Sequence, residues 1–288
     1  MEIIRASVMG YCMGVERAVN AALETIKGKK DSGVKLHTLG PLIHNPLVLK
    51  QLMQSGMTVL NEDEIQDVSE GDAVVIRAHG TTAENLERLR KKNAFVVDAT
   101  CPRVKQSQKR VQEWSKKGYD IIIAGDRDHG EVKSLEGFFD SSCGGKLFVV
   151  QNSKEVEAIP LSQKTALISQ TTFSPQKYDS IIHIIQEINP DAVIFNSICR
   201  ATLERQESLE NLAKEVDAVL VVGGKQSANT RQLKELALKF CPHVELIEDE
   251  SEIPQEFYSY SKVGITAGAS TPLFSVEAVE EKLRKFSH

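Results

Sequence analysis

Three cysteines, Cys12, Cys101 and Cys199, hold the same place in three otherwise different stretches of sequence. Each closes a short apolar run, as in EIIRASVMGYC, AFVVDATC and AVIFNSIC. Each is followed by a helical pattern, GVERAVNAALETI, PRVKQSQKRVQEWSKKG and RATLERQESLENLAKEV. Pro102 suits the first turn of such a helix, where its missing N–H is not needed. A cysteine at this junction lies at the C-terminal end of a strand and the N-terminal start of a helix. Ligand sites of open α/β sheets collect there, and the helix dipole favours thiolate over thiol. Three thiolates brought together suit a metal centre. Zinc normally takes four protein ligands, or three and a water. A [4Fe–4S] cluster usually takes four cysteines; with three, one iron stays open and can act on a substrate as a Lewis acid. The spacings of 89 and 98 residues match no compact ferredoxin pattern, so a cluster here has to be assembled by tertiary structure. The iron–sulfur reading is the favoured one. Cys143 and Cys241 neither follow a strand nor open a helix, and they are expected to be small core residues.

Further polar residues fall just after apolar runs, on the same expected rim. LGPLIHNP carries His44, AGDRDHGEV carries His129 and Glu131, and VGGKQSANT carries Ser227 and Asn229. IRAHGTT carries His79, SQTTFS carries Thr171 and Thr172, and TAGASTP carries Ser270. Helix N-termini dressed with Ser, Thr, Asn and His bind anions through unpaired N–H groups and the dipole. The plainer alternative is that the hydroxyls and amides are helix caps alone, worth about 1 kcal/mol each. Glu131 is the one carboxylate this close to a rim histidine apart from the loop residues Asp126 and Asp128, which read as solvated turn positions. A carboxyl group beside a dry cluster can keep its proton and donate it. His37 and His183 sit in strand or helix contexts, as does His243, and they are assigned no role.

The elements that must position these residues repeat. Apolar runs of four to six residues alternate with helical patterns, which implies a parallel α/β protein. In the first third they are LHTL, MTVL, AVVIRA and AFVV; in the second IIIA, LFVV, TALIS and AVIF; in the last AVLVV, VELI and VGITA. The second run of each third leads into similar wording, VLNEDEI, VVQNSKEV and LIEDESEI. The expected fold is α/β, with three pseudo-symmetric modules of one mainly parallel four-stranded sheet and flanking helices each. They span 13–98, 99–196 and 197–288, and the N-terminal strand 2–9 is expected to complete the last. Closed into a ring, equivalent positions converge near its axis, and the three thiolates meet.

The chain has 288 residues, 35 Lys and Arg against 40 Asp and Glu, and a net charge of −5. That is a poor footprint for nucleic-acid binding, which rests on clustered positive charge. Any anionic ligand has to be held by local features. No apolar run approaches the roughly 18 residues of a membrane span, and MEIIRASVMG has no leader pattern, so no membrane association and a cytoplasmic location are expected. There is no GxxxxGK[ST], no GxGxxG after a strand, no HExxH and no GxSxG.

Together, GYCMGVERA, HNP at His44, RAHG at His79, DATCP at Cys101, QTT at 170–172, C-x-A-T-x-x-R-Q from Cys199 to Gln206, GGKxSxNT at Ser227 and TAGASTP resemble the 4-hydroxy-3-methylbut-2-enyl diphosphate reductase (IspH/LytB) family along nearly the whole chain. The resemblance implies a cloverleaf of three α/β modules around a central [4Fe–4S] cluster on Cys12, Cys101 and Cys199. It implies a diphosphate gripped by His44, His79, Ser227, Asn229 and Ser270, with His129 assisting, Thr172 placing the allylic hydroxyl and Glu131 delivering protons. The implied reaction is the last step of the methylerythritol phosphate route. It removes the hydroxyl as water and gives isopentenyl and dimethylallyl diphosphates, with electrons from ferredoxin or flavodoxin.

Two positions depart from the family pattern. Gly130 stands where a proline is usual between the histidine and the glutamate, which leaves the Glu131 loop less preorganised. Ala228 stands where a second serine is common, so a backbone N–H has to replace one hydroxyl contact to the diphosphate. Two other classes compete. A metal- or redox-sensing binding protein would use the same thiolates but has no need of a phosphate grip. An iron–sulfur dehydratase of hydroxy acids would want arginines for a carboxylate, for which Arg103 and Arg200 are available.

Overall fold

Among the described residues the apolar runs form twelve strands, and every pairing between them is parallel. The computed structural model describes residues 1–29 and 32–286. Residues 30 and 31 of the first expected module and 287 and 288 of the last lie outside the described residues. In chain order the strands are β1 (Glu2–Arg5), β2 (Leu36–Leu39), β3 (Met57–Leu60), β4 (Ala73–Ile76), β5 (Phe95–Asp98), β6 (Asp120–Ala124), β7 (Leu147–Val150), β8 (Thr165–Ser169), β9 (Val193–Ile194), β10 (Ala218–Val222), β11 (Val244–Ile247) and β12 (Lys262–Ala267). The helices are α1 (Met13–Lys29), α2 (Pro46–Gln54), α3 (Ala83–Lys91), α4 (Pro102–Ser115), α5 (Gly130–Glu136), α6 (Ser153–Glu157), α7 (Pro175–Ile188), α8 (Arg200–Ala213), α9 (Ala228–Ala237) and α10 (Leu273–Phe286). Three four-stranded sheets result, with orders β3-β2-β4-β5, β7-β6-β8-β9 and β11-β10-β12-β1. The order is the same in all three once β1 is taken as the fourth strand of the last.

The chain divides into two compact units. One contains Met1–Glu16, Ile43–Gln54 and the described residues from Arg200 onward; the other contains Arg17–Leu42 and Ser55–Cys199. The larger unit holds two sheets. In the second of them, Ile121, Ile123 and Ile168 pack with Val111 of α4 and Val132 and Leu135 of α5. The alternate residues Ile122, Ala124 and Leu167 pack with Ile181 and Ile185 of α7 on the opposite face. Such period-two division, with both faces apolar, is what a buried parallel sheet requires of its sequence. In the smaller unit, Val219 and Val221 meet α8 and α9, while Leu220 and Val222 meet α10. Each fully buried Val or Leu contributes about 1.5–3 kcal/mol through loss of hydrated surface.

Helix starts are fixed locally. Thr82, His129, Asn152, Ser174 and Ser227 cap α3, α5, α6, α7 and α9 with a side-chain acceptor, and Asn45 Oδ1 accepts from Val48 N–H in α2. Two strands are shorter than their apolar runs. β9 stops at Ile194 because the Ser197 hydroxyl takes the N–H of Ser169 at 2.7 Å, where a further ladder bond would lie. β1 stops at Arg5 rather than reaching residue 9, because the N–H of Val8 goes to Ser208 Oγ at 3.0 Å. Cys241 is buried as expected. Cys143 is exposed instead, carried outward by the short 3₁₀ turn Ser141–Cys143, none of whose residues is buried. No helix among the described residues is long and apolar enough to cross a membrane.

Candidate active site

The three repeat cysteines share one backbone arrangement. Cys101 N–H donates to Ala78 O at 3.0 Å, Cys199 N–H to Thr171 O at 2.8 Å, and Cys12 N–H to Ala269 O at 3.1 Å. Each acceptor lies two residues beyond the end of its sheet's third strand, β4, β8 or β12. Each cysteine directly precedes a helix, α4, α8 or α1, and is half-buried. The carbonyls of Cys12 and Cys101 accept the first helical N–H bonds, from Glu16 and Lys105, both at 2.9 Å. Three soft sulfur donors, partly shielded from water and each at a helix start, fit an iron–sulfur cluster or zinc by donor chemistry.

Equivalence extends to the rim. Gly40, Gly125 and Gly223 follow the first strand of each sheet, and each donates its N–H to the last residue of the second strand at 2.7, 2.9 and 2.8 Å. Four residues after these glycines stand His44, His129 and Ser227. Three residues after the third strands stand His79, Thr172 and Ser270.

Glu131 lies in the first turn of α5 and is 1 % exposed. Thr171 N–H donates to its Oε1 and Thr171 Oγ1–H to its Oε2, both at 2.7 Å. Burial pushes the carboxyl up from 4.5 to about 7, and outweighs these two bonds, which favour the ionised form. The carbonyl of the same Thr171 accepts the Cys199 N–H. One residue therefore links the buried carboxyl to a repeat cysteine. Thr172, half-buried, accepts from Gln170 Nε2 at 2.8 Å, and Gln170 Oε1 accepts from Asp126 N–H at 3.0 Å.

His129 is the N-cap of α5: its Nδ1 accepts from Glu131 N–H at 3.1 Å. An accepting Nδ1 leaves the ring proton of neutral imidazole on Nε2. The His79 ring meets it edge-on, with centroids 4.9 Å apart. Beneath His79, Gln108 Nε2 of α4 donates to Ser134 Oγ at 2.6 Å and to Thr81 O at 3.4 Å, and Ser134 Oγ–H donates to Thr81 O at 3.2 Å. This buried set ties the His79 loop to the helix that carries Glu131. Gly130 also has a local reason. A Cβ there would lie 2.9 Å from the Arg77 guanidinium carbon, and that guanidinium is held by Gly80 O at 3.3 Å and Glu62 at 3.6 Å.

The smaller unit assembles His44, Ser227, Asn229 and Ser270. Ser270 Oγ–H donates to His44 O at 3.3 Å, and a Cβ at Gly224 would overlap the same carbonyl. Ser227 Oγ caps α9 by accepting from Thr230 N–H at 3.3 Å. Ser227, Asn229 and Ser270 are all buried, and Asn229 Nδ2 has no hydrogen-bond partner among the described residues. A buried donor without a partner is unfavourable by about 1–3 kcal/mol unless a ligand or water meets it. At the start of a ten-residue helix, with two hydroxyls beside it, this arrangement suits an anion. Ala228 adds no side-chain donor, and its N–H belongs to that helix start.

Sequence reasoning singled out these residues but missed part of their support. Thr171, rather than its neighbour, holds Glu131; Gln108 and Ser134 had no signal beyond ordinary polarity, and Arg77 stood only as the first letter of RAHG. Arg205 is fully buried although its sequence context reads as an exposed polar helix.

The LytB protein family model matches residues 3–284. The 4-hydroxy-3-methylbut-2-enyl diphosphate reductase of Treponema denticola is 44% identical over 291 residues, covering 98% of this chain and 99% of that protein. The reductase of the same name from Caldanaerobacter subterraneus subsp. tengcongensis is 40% identical over 285 residues, covering 99% and 97%. A solved structure of (E)-4-hydroxy-3-methyl-but-2-enyl diphosphate reductase, described as the terminal enzyme of the non-mevalonate pathway, matches with a TM-score of 0.73 at 36% identity, over 99% of this chain and all (100%) of that one. The E-1-hydroxy-2-methyl-but-2-enyl-4-diphosphate reductase of Plasmodium falciparum matches with a TM-score of 0.86 at 26% identity, over 99% of this chain and 86% of that one. With a family model spanning nearly all its length and full-length relatives at this identity, the chain belongs to the LytB family of 4-hydroxy-3-methylbut-2-enyl diphosphate reductases.

Proposed function

We propose that this oxidoreductase converts 4-hydroxy-3-methylbut-2-enyl diphosphate to isopentenyl and dimethylallyl diphosphates, with a [4Fe–4S] cluster held by Cys12, Cys101 and Cys199. The observation that carries the reading is the shared tether of the three cysteines, each bonded to the carbonyl two residues past its third strand. When bound, such a cluster supplies single electrons and, through its one iron without a protein ligand, a Lewis-acidic position for the allylic hydroxyl. The net reaction breaks the C–O bond, forms a C–H bond and releases water, consuming two electrons and two protons. A small ferredoxin- or flavodoxin-type protein is the proposed electron source.

The chain's own residues bind, orient and protonate. Ser227 and Asn229 at the start of α9, with Ser270 after β12 and His44, take the diphosphate, and the buried Asn229 Nδ2 gains a partner there. His129, whose Nδ1 accepts the Glu131 N–H, and His79, which meets it edge-on, are the further histidines assigned to substrate binding. Thr172 orients the hydroxyl end. Glu131, about half protonated near neutral pH, releases a proton in the direction of the leaving oxygen and is recharged from solvent between turnovers. Burial of the carboxyl keeps competing water away from that proton.

The test is purification without oxygen, followed by measurement of iron, sulfide and zinc and of diphosphate-dependent oxidation of a reduced low-potential dye. Four irons per chain with turnover support the reading. Tightly held zinc without sulfide overturns it.

A further inference from the structure

The segment that carries Cys12 leaves its sheet early and is then held by one helix. Ala6 N–H makes the last ladder-like bond, to Ile265 O at 2.9 Å. Beyond it, Ser208 Oγ of α8 lies 2.9 Å from Ser7 Oγ and accepts from Val8 N–H at 3.0 Å. Arg205, one turn earlier on the same face of α8, donates from Nη2 to Gly10 O at 2.7 Å and from Nη1 to Ala201 O at 3.2 Å. Gly10 has φ +77° with open space around its Cβ position, so the left-handed turn rather than crowding calls for glycine. Two residues later comes Cys12.

Arg205 is 2 % exposed and Ser208 is also buried. A guanidinium in the interior is unfavourable compared with an apolar side chain of similar volume, unless its reach and its donors are used. Here they span from the body of α8 to a carbonyl of the cysteine loop. An apolar residue could fill the space but could not fix that carbonyl. The same helix begins directly after Cys199 in the chain.

We propose that Arg205 and Ser208 are positioning residues for cluster binding, fixing Ser7–Gly10 so that Cys12 is presented in place before metal arrives. The proposal rests on the reading of Cys12 as a cluster ligand. Ligand-supporting partners of this kind typically change metal affinity by about 10- to 100-fold when removed.

The experiment uses the full chain, prepared without oxygen as wild type, Arg205→Met, Arg205→Lys, Ser208→Ala and Cys12→Ser. It reads iron and sulfide per chain, the electron paramagnetic resonance spectrum after reduction, and the rate of iron release to a chelator. Arg205→Met is expected to release iron about tenfold faster than wild type, with an altered spectrum, and to approach Cys12→Ser. Ser208→Ala is expected to show a smaller acceleration, and Arg205→Lys, which keeps one donor, to lie between wild type and Arg205→Met. Wild-type release rates and spectra in both Arg205→Met and Ser208→Ala would overturn the proposal. If Arg205→Met does not fold, unchanged release in both Ser208→Ala and Arg205→Lys overturns it equally. Wild type lacking iron and sulfide would overturn the cluster reading itself, a separate result from wild type holding iron that the variants retain just as firmly.

Discussion

Glu131 is the side chain whose environment most constrains its chemistry. Its pKa of about 7 exceeds the ordinary 4.5, so the folded chain binds this proton more tightly than the unfolded chain does. Between those two values the native state holds more protons, and stability falls as pH rises from about 4.5 to about 7, then levels. The difference is on the order of 3 kcal/mol. Glu131→Gln is expected to flatten that slope in urea unfolding of the metal-free chain at pH 5 and pH 8, and a slope that persists would assign it to other groups. In catalysis the protonated form is the useful one, so turnover should decline as pH rises through about 7. Glu131→Gln should keep its iron and lose that limb together with most turnover; unchanged activity would remove Glu131 from proton delivery. The carboxylate was legible in the sequence from its closeness to a rim histidine. Its partner was not, because SQTT offers two adjacent threonines, and only the backbone direction after β8 decides that Thr171 faces α5.

At the scale of elements, the strands and the helices after each cysteine were readable because period-two and helical apolar patterns are strong local signals. The ends of β1 and β9 were not, since Ser208 and Ser197 terminate the ladders from other parts of the chain. Gln108 failed for the same reason. KQSQKR looks like a solvated helix face, yet Gln108 is buried against Thr81 and Ser134, 27 and 26 residues away. Removing its amide leaves Thr81 O and Ser134 Oγ with fewer partners and loosens the loop that presents His79. Gln108→Leu is therefore expected to cost about 1–3 kcal/mol of stability and to raise KM roughly tenfold, with iron content unchanged. Equal KM in wild type and variant would show that the His79 loop holds itself.

At the scale of the molecule, the repeat was legible because three modules spell the same order of signals, and the identical sheet orders follow from it. The last sheet depends on β1, whose register runs from Glu2 opposite Lys262 to Arg5 opposite Ile265. Arg5 also pairs with Glu280 of α10. Deleting residues 2–5 exposes the edge of β12 and frees the approach to Cys12. The expected loss is about 2–4 kcal/mol in thermal or urea unfolding, from a few net ladder bonds of about 1 kcal/mol each, together with faster iron release. A deletion variant of wild-type stability would mean that the edge needs no fourth strand. The pairing of β1 with the distant β12 has a consequence for biosynthesis. β1 is made well before its partner and cannot pair until residues 262–267 have been made and have cleared the exit tunnel. At about 5–20 residues per second that is a wait of roughly 13–50 s. During it the two sheets built from residues 36–194 have all their strands available, while β1 lacks the strand it pairs with and the Cys12 segment has only α8 to hold it. Metal loading that needs all three cysteines in place is thereby deferred until β12 has emerged, and a chain truncated before β12 would be left with β1 unpaired for quality control to find.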